Sequence, residues 1–185
     1  MIVDNEPASL AAPGEGLARL IDRIDQRLMW LEVWICSAAL MVMSVSILVS
    51  VIIRYAGIKM TNYGELALVC MAPLSFVGAA LCYARGTHIA VDILRVVRNR
   101  RFNCLLNLGV ILMCLGFALI FFYFGGQFFI EFIESGEIMM DVGTPLYVPA
   151  FFFPLGMLML AIHALFDLIR IFLPATSSLP GVRFS

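Results

Sequence analysis

Four stretches of this sequence contain no Asp, Glu, Lys or Arg: Val33 to Ile53, Leu66 to Ala84, Phe102 to Ile130 and Val142 to Phe166. Each is near or above the roughly 20 residues that carry an α-helix through the hydrocarbon core of a bilayer. They predict an all-α membrane protein with four transmembrane helices, over about residues 31–53, 66–84, 102–130 and 144–168. The composition agrees, since 62% of the 185 residues are hydrophobic and 14% charged.

The segments outside the runs limit what else the chain can be. The stretch before Val33 and the connector from Arg85 to Arg101 are both shorter than the roughly 40 residues below which a domain seldom folds unaided. A soluble catalytic domain does not fit, and no enzyme activity is expected. Cys36, Cys70, Cys82, Cys104 and Cys114 lie in or beside apolar runs, form no CxxC pair and are odd in number. They read as small apolar residues in helix packing, so neither a disulfide framework nor a metal site is expected.

Charge sets the orientation. Arg19, Arg23 and Arg27 precede the first span, Arg85, Arg95, Arg98, Arg100 and Arg101 lie between spans two and three, and Arg170 and Arg183 follow the fourth. The other side carries only Arg54 and Lys59. The positive-inside rule then predicts both termini in the cytoplasm. The acidic N-terminal stretch has no apolar core of a cleavable signal, so span one serves as an uncleaved anchor. Leu17, Leu20, Ile21, Ile24, Leu28 and Leu31 recur at helical spacing, with Arg19, Asp22, Arg23, Gln26 and Arg27 opposite. This predicts an amphipathic helix on the membrane surface, in contact with membrane lipid, with docking on a soluble partner as the alternative. Pro13, Gly14 and Gly16 mark a break before it, leaving 1–16 as a mobile tail, 17–173 as the membrane domain and 174–185 as a second tail. A similar surface helix is expected from Thr87 to Arg101, with His88, Asp92, Arg95 and Asn99 on one face.

The spans carry packing signals too. Ala72, Ser75, Ala79 and Cys82 form a seam of small side chains on span two that predicts close helix approach and a central position. The third run makes a helix of about 43 Å, so it must tilt or project from the membrane. Gly143 and Thr144 suit a cap for the fourth helix, with Pro145 in its first position and Pro154 bending it.

Ionisable groups at membrane depth mark ion or substrate paths, and His163 is the only such group within the four runs. It reads as an interfacial or interhelical hydrogen-bonding group. The polar chemistry collects at the edges. On the outer side Arg54 and Tyr55 end span one and Glu65 opens span two beside Tyr63, so Arg54 and Glu65 are expected to pair. Glu131, Glu134, Glu137 and Asp141 form an acidic outer cluster. It reads either as a loop that merely lacks basic residues or as a docking surface for a basic partner. On the inner side Arg85 leads into His88 and Asp92, one helical turn apart. No nucleophile accompanies them, which argues against acid–base catalysis. Because His88 and His163 are the only histidines and both fall on the inner side, a haem anchor of an electron-transfer complex is the rival reading.

These residues resemble a known family, the small membrane subunits (DctQ-like) of tripartite ATP-independent periplasmic (TRAP) transporters. The resemblance rests on Arg54–Tyr55, on Tyr63–Gly64–Glu65–Leu66–Ala67, on Gly78–Ala79–Ala80 and above all on Ala84–Arg85–Gly86–Thr87–His88–Ile89–Ala90–Val91–Asp92. Thr144–Pro145–Leu146–Tyr147–Val148–Pro149, with Pro154 and Gly156, completes it. Where the family has Trp and two acidic residues before span two, this chain has Tyr63, Gly64 and the single Glu65. The resemblance implies a scaffold subunit in the bacterial inner membrane that does not transport alone. A large permease subunit would hold the sodium and substrate sites, and a periplasmic binding protein would deliver an organic acid. It implies no cofactor, no substrate site in this chain and no nucleic-acid partner. Arg54, Tyr55, Tyr63, Glu65, Ala72, Ser75, Ala79, Arg85, His88 and Asp92 are candidates for the large-subunit interface. Glu131, Glu134, Glu137 and Asp141 are candidates for docking the binding protein.

Overall fold

The computed structural model describes residues 13–57, 63–86 and 100–172. Among these residues it consists of four α-helices, α1 (Pro13–Tyr55), α2 (Gly64–Ala84), α3 (Arg100–Ser135) and α4 (Tyr147–Phe172), and one isolated β-bridge. Each helix contains a segment long and apolar enough to cross a membrane.

The surface helix expected over Leu17–Leu31 is not a separate element. It forms the N-terminal part of α1, a single helix of 43 residues. Nothing between Leu17 and Val33 interrupts the backbone ladder, so the amphipathic segment and the span propagate as one helix of about 64 Å. Pro13 opens it at the position where a missing N–H does no harm, so residues 13–16 are helical rather than part of a tail. The connector, including Thr87, His88 and Asp92, lies outside the described residues except for Arg85 and Gly86, which follow α2, and Arg100 and Arg101, which open α3. The remainder of both expected tails lies outside them as well.

The fourth helix also begins later than the sequence suggests. Met139 donates its backbone N–H to the Thr144 carbonyl at 2.9 Å, and Ile138 bridges Pro145 in antiparallel fashion. Thr144 and Pro145 therefore belong to a short hairpin, and Pro149 takes the place in the first helical turn expected of Pro145. Gly136 and Gly143 both have positive φ there, as the reversals require.

The helices pack in the order α1, α2, α4, α3: α1 lies along α2, α2 along α4, and α3 along α4 alone, with a light α1–α4 contact. The core gathers Val77, Ala80, Ala118, Met157, Leu160, Ala161 and Ala164. Span two is central as predicted, but not through the predicted seam. Ser75, Ala79 and Cys82 are exposed, and α2 buries Ala67, Val69, Pro73, Val77, Ala80 and Tyr83 instead. The small residue that permits the close approach sits on the other helix. A Cβ on Gly156 of α4 would lie 2.6 Å from the carbonyl oxygen of Phe76 in α2, so the two backbones are in direct contact. Gly125 of α3 meets α4 similarly, since its Cβ would lie 3.3 Å from the backbone nitrogen of Pro154.

Large apolar side chains cover the outside of α1 and α3, among them Met41, Leu48, Ile52, Met113, Ile120 and Phe124. In water such a surface would aggregate; against lipid or a membrane partner it is the solvated face. Gly156→Ala is expected to lower the thermal midpoint of the purified protein, at a cost of roughly 1–3 kcal/mol from overpacking. Gly116→Ala, where a Cβ meets nothing within 4 Å, is the control. An unchanged midpoint for Gly156→Ala would refute the backbone contact.

Candidate functional site

Polar side chains gather at both ends of the bundle. At the end where α1 begins and α4 finishes, acidic residues occur inside the stripe that α1 turns inward. Ile21, Asp25, Glu32 and Ala39 are all buried, with Leu28, Ile35 and Cys36 partly buried between them. Asp25 and Glu32 stand two turns apart on this face, as do His163 and Arg170 on α4. The antiparallel pairing of the two faces brings them together.

His163 sits between the carboxylates: its Nδ1 is 2.7 Å from Asp25 Oδ1 and its Nε2 is 3.0 Å from Glu32 Oε1. With an acceptor oxygen at each ring nitrogen, both contacts need a proton, carried by a doubly protonated ring or by one carboxyl group. Arg170 completes the cluster. Its Nη2 donates to Asp25 Oδ2 and Asp22 Oδ1, both at 2.8 Å, and its Nη1 donates to Asp167 Oδ1 at 2.9 Å. Glu32 is fully buried, and its Oε2 has no hydrogen-bond partner among the described residues.

The cluster ties the start of α1 to the end of α4, two helices that touch only lightly elsewhere. It revises the expectation of spans free of buried charge. Glu32 lies one residue before the charge-free run, and α1 carries it inside. The sequence does hold a signal for it: carboxylates in register with an apolar helical stripe require a polar partner on the facing helix. Of the apolar face expected from Leu17 to Leu31, Ile21 and Leu28 turn toward the bundle, while Leu20, Ile24 and Leu31 are exposed. Both nitrogens of His163 are engaged, so neither is left for iron, and the haem reading loses one of its two ligands.

At the opposite end Glu65 has a different role from the one expected. Its Oε2 accepts the backbone N–H groups of Asp141, at 3.0 Å, and of Val142, at the tip of the hairpin between α3 and α4. The carboxylate caps a turn, and no Arg54–Glu65 ion pair forms among the described residues. Peptide N–H groups at a tight turn point outward together and suit a single oxygen, which explains why they displace a flexible guanidinium. Arg54 and Tyr55 are exposed at the end of α1, and Tyr63 is half-buried beside Glu65. Glu131 and Glu134 lie on the last turns of α3, Glu137 and Asp141 in the hairpin, and all four are exposed. On α2, Ala72 is half-buried, while Ser75 and Ala79 are exposed, as is Arg85 just after it.

The two ends yield separate expectations. Asp25→Ala is expected to lower stability by roughly 3 kcal/mol, because it leaves His163 and Arg170 without their shared partner. A thermal midpoint equal to that of the unaltered protein would show that the cluster holds nothing together. Glu65→Ala is expected to speed amide hydrogen exchange at Asp141 and Val142 by about tenfold, as hydrogen bonds to a charged acceptor are lost. Unchanged exchange at both amides would contradict the tie.

The family model for the DctQ component of tripartite ATP-independent periplasmic transporters matches residues 43–173. This is more than half of the chain, from the last third of α1 to the end of α4. The α1 half of the polar cluster, Asp22, Asp25 and Glu32, lies outside it. The chain is also 24% identical over 160 residues to the ectoine TRAP transporter small permease protein TeaB of Halomonas elongata, a match that covers 84% of this chain and 81% of that protein. With its four helices long and apolar enough to span a membrane, the chain belongs to the DctQ family of TRAP transporter small permease components.

Proposed function

We propose that this subunit is the fixed scaffold of a sodium-driven importer in the bacterial inner membrane, with both termini in the cytoplasm. A large permease subunit moves the cargo, an organic acid delivered by a periplasmic binding protein. The observation that supports this reading is where the buried ionisable groups are spent. Asp25, Glu32, His163 and Arg170 are engaged with one another between α1 and α4. A carrier needs such groups facing its cargo, whereas a scaffold needs them locking its own helices.

The exposed faces are consistent with that role. Ser75 and Ala79 leave a smooth strip on α2, and the apolar outer sides of α1 and α3 offer area for the large subunit. At the periplasmic end Glu131, Glu134, Glu137 and Asp141 provide a negative surface around the hairpin held by Glu65. It would attract a basic patch on the binding protein.

Vesicles containing this chain alone are expected to accumulate no organic acid under a sodium gradient, and vesicles that also contain the large subunit and binding protein to do so. Accumulation by the chain alone would overturn the scaffold reading. Replacing the four outer carboxylates by their amides is expected to slow uptake at low salt by about tenfold, with less effect at high salt, where steering is already screened. Uptake that is unchanged at every salt concentration would remove the docking role.

A further inference from the structure

The buried cluster accounts for one side of α1 and leaves the other unexplained. Asp22, Asp25 and Glu32 face α4, whereas Arg23, Gln26, Arg27 and Trp30 face away from the bundle and line an open concavity of about 320 Å³. Arg23 and Arg27 are exposed, and among the described residues no carboxylate lines the concavity. One turn further into the bundle, Trp34 lies on the same face, its ring 5.5 Å from that of Trp30.

The depth of these residues follows from helix geometry. From Trp34 to Arg54, which closes α1, the helix rises about 30 Å. That is about the thickness of the hydrocarbon core, so with Arg54 at one boundary the two indoles lie at the other. Arg27 and Arg23 then stand about 10 and 16 Å beyond Trp34 along the helix axis, on the headgroup side of the boundary, and their long side chains can reach back toward the lipid phosphates.

We propose that this face of α1 is a binding site for an anionic phospholipid. The guanidinium groups of Arg23 and Arg27 hold the phosphate, Gln26 donates to headgroup oxygens, and Trp30 and Trp34 pack on the glycerol and upper acyl chain. Charge complementarity selects the occupant. Guanidinium groups one turn apart match phosphate oxygens in number and geometry, and no carboxylate among the described residues competes for them within the concavity. A bound lipid would fix the depth of α1 at the same level as the cluster on its opposite side. The site is independent of the cargo and of the scaffold reading.

The chain contains two tryptophans, and both lie in this site, so their fluorescence reports on it directly. The test is to titrate the full-length chain in neutral detergent micelles with brominated phosphatidylglycerol or brominated phosphatidylcholine. The anionic lipid is expected to quench at about tenfold lower content than the neutral one, and R23Q/R27Q to abolish that difference. R23K/R27K, which keeps the charge, is expected to retain most of it. Equal quenching by both lipids, or an anionic preference that survives R23Q/R27Q, would overturn the proposal. So would a preference that disappears when a tryptophan-free large subunit binds, since the face would then belong to a protein interface.

Discussion

The backbone contact between Phe76 and Gly156 is the constraint on which the bundle depends. Helices in a bilayer gain nothing by exchanging lipid for apolar side chains, so their association relies on close packing and on polar contacts. Gly156 supplies the first by bringing α4 against the main chain of α2. The other helices are placed from this pair: α1 lies along α2, and α3 reaches α4 where Gly125 faces Pro154. The packing leaves the outer sides of α1 and α3 for lipid or partner subunits.

Polar contacts then secure the two ends. At one, the Asp25–His163–Glu32 group and Arg170 tie α1 to α4 across the bundle. At the other, Glu65 holds the hairpin that joins α3 to α4. Buried ionic contacts of this kind need not add net stability over well-packed apolar residues, because desolvation offsets much of the attraction. They do penalise other registers, in which Glu32 and His163 would be buried without partners. The scaffold role proposed for this subunit would call for such a single register.

The same division of labour explains the surface of α1. Its Asp22, Asp25 and Glu32 are directed to α4, and two of its arginines and both tryptophans are directed outward. One helix is thereby joined to the bundle on one side and suited to the headgroup layer on the other. Its unbroken length allows this, since a break after residue 31 would uncouple the two faces.

The number of helices and their membrane character were legible in the sequence, because charge-free runs of membrane-spanning length have no stable alternative in lipid. So was family membership, carried by local motifs at the span ends. The way the helices meet was not. The small-residue seam on α2 was visible, but Ser75 and Ala79 face outward, since a periodic pattern marks a face without saying what lies opposite. Glu65 was expected to pair with Arg54, a neighbour in sequence, yet its carboxylate is taken by peptide groups more than seventy residues away. Asp25 and Glu32 could have been noticed as acids within an apolar stripe, but their partner His163 could be assigned only once α1 and α4 were placed side by side. Hydropathy is a local property and determines which segments enter the bilayer. Partner choice between buried polar groups depends on helix rotation and register, which only tertiary packing decides.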